Sequence, residues 1–344
     1  MLDRIPEVPP VILPVDAGIE RPLWSIMIPV YNCIRYLKET IESVLAQDLG
    51  KDKMQIEVID DFSTDGDVKR LVEEVGRGRI GYFRQAQNVG SLRNFETCLL
   101  RSKGLLIHLL HGDDRIQPGF YQEIDRLFTL YPAAGAAFTN FSYINEQGST
   151  LDIENEKIID EPGIVKNFLY EIGKRQLIQP PAIVVKRSVY ERVGSFYAVH
   201  FGEDWEMWCR ISSVFLIAYS PRVLAQYRVS HHSSISHQSF LTGQNIKDIK
   251  KVINIIQEYI PEEKRKYMKS FAQEYYSIYC IKVANSLLTH NTKVAVNLVK
   301  GSLKMSKSIK TCFWMIRFYV MYIFRFKQLQ IFFRRSKTNI MLCT

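Results

Sequence analysis

The chain has 344 residues, of which 47% are hydrophobic and 24% charged, a composition typical of globular proteins that excludes wholesale disorder. Its formal net charge of +9 is unevenly distributed. Residues 275–344 contain twelve Lys or Arg and no Asp or Glu, so the preceding 274 residues are mildly acidic, at −3. The basic C-terminal stretch predicts an anionic partner, either lipid headgroups or nucleic acid.

Cysteine spacing and the N-terminal residues narrow the class of protein. The six cysteines lie far apart without a C-x-x-C pair, which argues against a zinc site and a disulfide framework and fits a reducing compartment. No basic end followed by an apolar run marks a signal peptide, so we expect the chain in the cytoplasm. Residues 1–22 contain five prolines and predict an extended lead-in.

Strands and helices alternate through the first half of the chain. Short apolar runs predict strands at Trp24–Val30, Gln55–Ile59, Ile80–Phe83 and Leu105–Leu110. Helical spacing predicts helices at Ile34–Gln47, Val68–Val75, Ser91–Arg101 (with Ser91 as N-cap) and Pro118–Leu130. This alternation indicates an α/β fold with a mostly parallel sheet covered by helices on both faces. Such sheets bind ligands at the carboxyl ends of their strands.

The second half of the chain is less regular. We expect strands at Ala182–Val185 and Val223–Tyr227 on either side of a helix at about Asp204–Ser213. Beyond them the pattern is helical, which divides the chain into an α/β unit at 23–240 and a basic helical region at 241–344.

An aromatic ring and a carboxylate follow the first two predicted strands. Tyr31 comes directly after the first strand, and Asp60-Asp61 follows the second. Because the carboxyl ends of parallel strands meet at one edge, Tyr31 can stack on a nucleotide base, and a carboxylate of the Asp60-Asp61 pair can accept a hydrogen bond from it, as from N3–H of uracil. The competing interpretation is an ordinary strand-to-helix turn in which the polar residues act as caps.

A second acidic group, His111-Gly112-Asp113-Asp114, follows the fourth predicted strand. Two carboxylates on such a turn suit a hard divalent cation, Mg²⁺ or Mn²⁺, whose remaining ligands come from a diphosphate and water. Helix capping is the alternative, but adjacent acids at the end of an apolar strand repel each other. The sequence therefore favours a cation site at Asp113 and Asp114.

Two further groups lie in the second half. Asp204 opens a predicted helix, where the helix macrodipole favours an acid. Alternatively, it acts as a general base that deprotonates an acceptor hydroxyl. Arg228 and His231 follow the last predicted strand. They are candidates for contacts to phosphate oxygens or a metal ion, and the alternative is a surface loop.

In order and spacing, these groups resemble the family 2 glycosyltransferases, which have the Rossmann-like GT-A fold. The resemblance runs from about Trp24 to Ser236. It is carried, in the family's order, by Ser25–Asn32, Glu57–Gly66, Asn88-Val89-Gly90 with Arg93-Asn94, Asp113-Asp114, Gly202–Asp204 and Tyr227-Arg228. It implies an inverting transfer of a sugar from a nucleoside-diphosphate sugar to an acceptor hydroxyl.

The resemblance also implies residues of the donor site. Pro29, Tyr31 and Asp61 would line the nucleotide base, for which a UDP-sugar is favoured. Arg93 would lie near the base or the diphosphate. Asp113 would serve the ribose as well as the metal.

Metal and catalytic roles follow from the same resemblance. Asp113 and Asp114 would hold Mn²⁺ or Mg²⁺. His231 is the candidate for a further metal ligand because of its place after the last predicted strand, and not through the resemblance. Asp204 would be the catalytic base of a single displacement. Two positions depart from the family pattern: His111 stands where an Asp is usual, and Phe62 replaces a common Gly.

Residues 309–335 interleave aromatic and basic side chains. Their apolar stretches are too short to cross a bilayer. We therefore expect a helix lying in the headgroup region of an anionic membrane. The aromatic side chains expected to insert are Trp314, Phe318, Tyr322 and Phe326. The alternative is a helix packed on the protein, with its cations in solvent.

The expected acceptor is a saccharide or a lipid-linked glycan. We expect the enzyme to be peripheral to the inner face of the cell membrane. A non-catalytic relic that only binds sugar nucleotides is an alternative, against which Asp113-Asp114 and Asp204 count. The acidic front of the chain and the lack of a recognised nucleic-acid module argue against a nucleic-acid partner. A dehydrogenase is disfavoured because no G-x-G-x-x-G follows a strand.

Overall fold

A computed structural model of the protein describes residues 3–153, 155–229 and 235–324. Its strands are β1 (Trp24–Val30), β2 (Met54–Asp60), β3 (Gly81–Arg84), β4 (Leu106–Leu109), β5 (Arg115–Ile116), β6 (Ala134–Ile144), β7 (Gly163–Ile164), β8 (Ile183–Lys186) and β9 (Leu216–Arg228). Its helices in the first two thirds are α1 (Ile34–Leu45), α2 (Val68–Gly76), α3 (Ser91–Arg101), α4 (Phe120–Leu130), α5 (Phe168–Ile172), α6 (Arg187–Val193) and α7 (Glu203–Val214). The last third contains α8 (Ile235–Thr242), α9 (Gln244–Tyr259), α10 (Glu262–Leu287), α11 (Thr292–Leu303) and α12 (Ile309–Phe324).

These strands form one sheet, in the order β3-β2-β1-β4-β8-β6-β9-β5, with β7 paired to β9. The pairs of β1 with β2 and β4, of β2 with β3, and of β6 with β9 are parallel. Strand β8 runs antiparallel to β4 and β6, and β5 and β7 run antiparallel to β9. Because β1 lies between β2 and β4, the connections diverge there, and the carboxyl ends of these three strands form the kind of crevice in which α/β sheets bind ligands.

The α/β fold and the C-terminal helical region predicted from the sequence are both confirmed. Every residue of β1 is buried, as expected for a strand covered on both faces. Strand β6 was not predicted, and β9 extends well beyond the expected Val223–Tyr227. The N-cap prediction for Ser91 is wrong: Gly90 occupies that position at a φ of 90°, and Ser91 is the first helical residue.

The C-terminal helices pack against the sheet and share its apolar core. Helix α9 packs on α7, and α10 packs on α9, α11 and α12. One cluster of buried side chains joins Phe138 and Tyr219 of the sheet to Ile253, Tyr276 and Phe318 of the helices. Burial of these apolar side chains therefore holds the helical region against strands β6 and β9 of the sheet.

Residues 3–22 contain no helix or strand, yet they are attached to the α/β unit. The backbone N–H of Ala198 donates to the Pro6 carbonyl at 2.9 Å, and that of Ser195 donates to the Pro10 carbonyl at 2.8 Å. The side chain of Ile12 is only 1% exposed. The prolines thus keep the segment extended while its carbonyls pair with a loop of the folded unit.

Helix α12 packs differently from the sequence-based expectation. Phe318 is fully buried against the protein, so its expected insertion into a membrane is wrong. Trp314 and Tyr322 are partly buried and pack against the same core. Phe326 lies outside the described residues. Within the described ranges, no helix combines the length and apolar character needed to cross a bilayer.

Candidate active site

The acidic turn after β4 brings three potential metal ligands together. One ligand atom each of His111, Asp113 and Asp114 lies within 4.8 Å of the other two. Asp114 is 2% exposed. Its Oδ1 accepts a hydrogen bond from the backbone N–H of Arg228 at 2.8 Å, whereas Oδ2 is buried and has no hydrogen-bond partner among the described residues.

The turn is held against the end of β1 by close backbone packing. The Gly112 N–H donates to the Pro29 carbonyl at 3.1 Å. A Cβ at Gly112 would lie 2.9 Å from Val30 Cγ2 and 3.0 Å from Cys33 Sγ, so only glycine fits without a shift of its neighbours. Thr40 of α1 donates its hydroxyl hydrogen to the carbonyls of Gly112 and Asp114, at 3.1 and 2.6 Å. The carboxylates are therefore presented on a rigid support.

Arg228, the last residue of β9, holds the same turn in place through hydrogen bonds. Its guanidinium is 0% exposed. It donates to the Asp113 carbonyl at 2.7 Å, to the Asn145 carbonyl at 2.8 Å and to the Glu39 carboxylate at 2.8 Å. A guanidinium engaged in this way is not presented to a ligand, so the suggestion that Arg228 meets phosphate oxygens is wrong. His231, the other residue of that suggestion, lies outside the described residues.

Burial sets the protonation of the turn. It raises the pKa of Asp114 well above its usual range, and the neighbouring Asp113 charge raises it further. Burial likewise raises the pKa of Asp113. It lowers the pKa of His111 to about 4, so that ring is neutral at pH 7. A neutral imidazole can ligate a metal, whereas an imidazolium cannot.

The turn fits a divalent cation. Asp114 Oδ2 is a buried acceptor without a donor, a costly arrangement that a cation would relieve. Two carboxylates supply the oxygen ligands that Mg²⁺ and Mn²⁺ prefer. His111, which replaces the family's usual Asp, adds a nitrogen ligand of the kind that Mn²⁺ accepts more readily than Mg²⁺ does.

The predicted base-binding residues lie at the adjoining strand ends. Tyr31 is 51% exposed, so its ring is accessible for stacking on a base. The Asp61 carboxylate is buried and accepts from the backbone N–H groups of Val89 and Gly90, at 2.7 and 2.9 Å, and from Asn88 Nδ2 at 2.7 Å. A carboxylate has about four acceptor positions, so the Asn88–Gly90 turn uses three of them.

Arg93 and Phe62 flank this region. Arg93, on the first turn of α3, donates to the Asp3 carbonyl at 2.8 Å and pairs with Glu96 at 2.7 Å. Phe62 has a φ of 64°, in the left-handed region that favours glycine, which explains why the family commonly has Gly there. The Arg84 guanidinium stacks over the Phe62 ring at 4.6 Å, a cation–π contact that offsets part of the strain.

Asp204, the predicted base, lies in the first turn of helix α7. Its Oδ2 accepts from Gln176 Nε2 at 2.7 Å, and its Oδ1 accepts from the Trp205 N–H at 2.8 Å. Burial raises the pKa of Asp204 against the opposing effect of these hydrogen bonds. Burial and the Asp204 charge together raise the pKa of Glu203 well above its usual range.

A small cavity joins the two halves of the site. It is lined by His111 from the acidic turn and by Glu203, Asp204 and Trp208 from α7. The structure thus brings His111 of the acidic turn and the predicted base Asp204 to one cavity, although about ninety residues of sequence separate them. Sequence reasoning missed Gln176, which positions Asp204, because it lies in a loop without any motif.

Comparisons with known proteins show what this sequence is similar to. Residues 25–194 match Glycosyl transferase family 2. An uncharacterized glycosyltransferase of Haemophilus influenzae is 25% identical over 326 residues, which cover 83% of this chain and 96% of that protein. TuaG of Bacillus subtilis, a putative teichuronic acid biosynthesis glycosyltransferase, is 25% identical over 224 residues, which cover 63% of this chain and 83% of that protein.

Solved structures are similar at the level of the fold. S. aureus TarS 1-349 in complex with UDP-GlcNAc superposes with a TM-score of 0.61 at 14% identity, covering 83% of this chain and 81% of that chain. The mannosyltransferase PcManGT from Pyrobaculum calidifontis, in complex with GDP-Man and Mn²⁺, superposes with a TM-score of 0.50 at 16% identity, covering 91% and 90% of the two chains. The solved structures agree in fold, and the family match shows that residues 25–194 of this chain form a glycosyl transferase family 2 domain.

Proposed function

We propose that this glycosyltransferase catalyses an inverting, metal-dependent transfer from a nucleoside-diphosphate sugar to an acceptor hydroxyl. The observation that carries the proposal is the cavity that His111 of the acidic turn shares with Asp204 of α7. A direct displacement requires a group that stabilises the leaving group and, near it, a base that takes the acceptor proton. A cation held at the acidic turn and the Asp204 carboxylate would supply these two.

In the proposed reaction, Asp204 accepts the proton of the acceptor hydroxyl as the oxygen bonds to the anomeric carbon of the donor. The bond from that carbon to the diphosphate breaks at the same time, on the opposite face, so the anomeric configuration inverts. The raised pKa of Asp204 makes the carboxylate a stronger base than an exposed one. Gln176 holds the carboxylate in one orientation, which limits the entropy lost at the transition state.

Asp113 and Asp114, with His111, are the residues proposed to hold Mn²⁺ or Mg²⁺. When bound, such an ion neutralises charge that develops on a diphosphate leaving group. We assign Pro29, Tyr31 and Asp61 to the nucleotide base, with Arg93 nearby, as proposed from the sequence. Asp113 is also assigned to the ribose, as proposed from the sequence.

The donor and acceptor are proposed by class. The UDP-GlcNAc complex of TarS, a similar fold, supports a UDP-sugar donor. The teichuronic acid assignment of the similar TuaG supports a role in surface-polysaccharide or lipid-linked glycan assembly. The acceptor is accordingly a growing saccharide.

We also propose that the enzyme binds the inner face of the cell membrane through α12. Five apolar side chains at helical spacing form an exposed stripe on this helix: Ile309, Phe313, Ile316, Val320 and Ile323. The charge of the sequence that contains the stripe supports an anionic bilayer as its occupant, because residues 275–344 include twelve cations and no acid. The face of α12 proposed to bind the membrane is therefore this stripe, and not the face with Trp314, Phe318 and Tyr322 that the sequence suggested.

The proposed reaction is tested with a panel of nucleotide sugars and an Asp204→Asn variant. We expect turnover to fall by about 10²–10⁴ in the variant while donor affinity is unchanged, since only the proton acceptor is lost. The product anomer, determined by NMR, should be inverted relative to the donor. A retained anomer, or full turnover in Asp204→Asn with loss in Glu203→Gln, would contradict this mechanism.

A further inference from the structure

A second cavity, of about 250 Å³, opens beside the candidate active site. Its walls come from six parts of the chain: strands β6 and β9, the segment 155–158, helix α5, the segment 175–179 and helix α10. No residue of this cavity has a part in the donor site proposed above. Helix α10 also lies beyond residues 25–194, so the wall that it forms is not part of the region that matches the family.

One residue connects this cavity to the proposed base. Gln176 lines the cavity, and its Nε2 donates to Asp204 Oδ2 at 2.7 Å. The backbone N–H of Gln176 donates to the hydroxyl of Tyr276, a second lining residue on α10, at 3.1 Å. The ring of Tyr276 packs on that of Trp205, with ring centres 4.7 Å apart. A molecule in the cavity could therefore contact the Gln176 side chain, which is itself hydrogen-bonded to the proposed base Asp204.

Sheet order separates this cavity from the nucleotide. The proposed donor residues follow β1, β2 and β4, whereas the cavity lies over β6 and β9. In the order β1-β4-β8-β6, three strand spacings separate β1 from β6, a distance of about 14 Å. The donor would occupy one end of the crevice and leave the cavity to the other substrate, with Asp204 between them.

The lining combines ring faces with neutral hydrogen-bonding groups. Four tyrosines contribute rings and hydroxyls: Tyr219, Tyr275, Tyr276 and Tyr279. Four side-chain amides add donors and acceptors: Asn140, Asn155, Gln176 and Gln179. A sugar ring presents apolar C–H faces and a rim of hydroxyls, which are complementary to aromatic faces and to amides respectively.

The charged residues around the cavity neutralise one another. Arg175 pairs with Glu156 at 2.7 Å, and Glu171 pairs with Lys174 at 3.0 Å. The lining itself contains two acids, Glu156 and Glu171, and two bases, Lys157 and Arg175. This balance gives no net attraction for a phosphate or a carboxylate and favours an uncharged ligand.

We propose that this cavity is the acceptor subsite and that it binds a neutral sugar unit, whose reacting hydroxyl it directs toward Asp204. The inference rests on the proposed transferase function and adds the location and chemistry of the second substrate. It also assigns a function to α10: its tyrosines select the acceptor, while the family region of the chain binds the donor.

The test uses a matched pair of substitutions on α10. Tyr275 lines the cavity and is partly buried, whereas Tyr267, two turns earlier on the same helix, is 64% exposed and does not line it. The probes are methyl β-glucoside, methyl β-galactoside and methyl β-N-acetylglucosaminide, each titrated into the full chain and followed by ligand-detected NMR. Binding of UDP and UDP-sugars is measured separately on the same preparations.

We expect at least one glycoside to bind the unsubstituted protein, and its affinity to fall at least tenfold in Tyr275→Ala and in Asn155→Ala. Tyr267→Ala should bind as the unsubstituted protein does, and UDP affinity should be the same in all variants. Failure of every glycoside to bind, or equal loss in Tyr267→Ala, would overturn the acceptor subsite. If the glycosides bind and the UDP-sugars do not, the proposed donor would be wrong while the acceptor subsite would stand. The two proposals are therefore tested separately.

Discussion

At the scale of single residues, the geometry around Asp204 depends on a residue that no motif marks. Gln176 donates a hydrogen bond to Asp204 Oδ2, which stabilises the ionised carboxylate and lowers the pKa that burial raises. The balance between burial and this hydrogen bond decides the pH at which the proposed base loses its proton.

Replacing Gln176 with Ala should therefore move the acid limb of the pH–rate profile. Without the donor, the pKa of Asp204 rises further, so a larger fraction is protonated and inactive at a given acidic pH. The limb should shift to higher pH by roughly 0.5–1 unit, since a hydrogen bond to a charged group is worth about 1.5–3 kcal/mol, only part of which distinguishes the two protonation states. Initial rates between pH 4 and 9 measure the shift.

A limb that stays in place, or moves to lower pH, would contradict the role given to Gln176. Lys174→Ala is the control, because Lys174 lies in the same loop and pairs with Glu171 rather than with Asp204. Asp204 and Glu203 are close enough to titrate together, so the limb belongs to the pair rather than to either acid.

At the scale of elements, the acidic turn depends on what packs beneath it. Gly112 brings the backbone against Val30, Cys33 and the Pro29 carbonyl. A methyl group at that position must displace the turn or the end of β1, and both carry residues of the proposed donor site.

Gly112→Ala should lower the free energy of unfolding by about 1–3 kcal/mol, the usual cost of overpacking, and weaken Mn²⁺ binding as the carboxylates move. Urea denaturation and a manganese titration measure the two effects. Gly18→Ala is the matched control, because a Cβ there meets no atom within 4 Å. Unchanged stability and unchanged Mn²⁺ affinity in Gly112→Ala would show that the turn tolerates the shift.

The elements also show what local pattern can and cannot predict. Strand β1 and helix α3 are predictable because an apolar run or a 3.6-residue spacing records burial directly. Strand β6 begins with the small residues Ala-Gly-Ala-Ala, which have neither strict alternation nor strong β propensity, and the pairing of this strand with β8 and β9 fixes it there instead.

Site residues likewise divide into those that a local sequence pattern predicts and those that it does not. The strings that contain Asp61, Asp113 and Asp204 are recognisable because their chemistry requires fixed neighbours. Arg228 and Tyr276 act on residues about a hundred positions away in sequence, on the Asp113 carbonyl and the Gln176 N–H respectively. Long-range contacts of this kind leave no local pattern, and they account for the error about Arg228 and for the omission of the second cavity.

At the scale of the whole molecule, the C-terminal helices join the acceptor side of the site to the exposed stripe of α12. Helix α10 lines the second cavity and packs against α12, which buries Phe318 and exposes Phe313 and Ile323. An enzyme held at a membrane by that stripe would have α10 near a lipid-linked acceptor.

The membrane proposal predicts that Ile309→Ser, Phe313→Ser and Ile323→Ser together reduce flotation with anionic liposomes more than tenfold. Fully withdrawing one such side chain from an apolar phase costs about 1.5–3 kcal/mol, so even partial insertion of three gives this loss. Thermal unfolding should be unchanged because these side chains are 90%, 63% and 69% exposed. Equal flotation of both proteins, or a stripe that instead holds two copies together by size-exclusion chromatography, would contradict a membrane-binding stripe.

The central claim, a cation-dependent site for a nucleotide sugar, is tested most directly by calorimetric titration of UDP-sugars with Mn²⁺ or with a chelator. The isosteric Asp114→Asn retains the acceptor for the Arg228 N–H but loses the charge of the buried carboxylate, and Asp125→Asn, an exposed position on α4, is its control. We predict binding that requires the cation, falls at least tenfold in Asp114→Asn and is unchanged in Asp125→Asn. Equally tight binding in chelator, or in Asp114→Asn, would contradict the account.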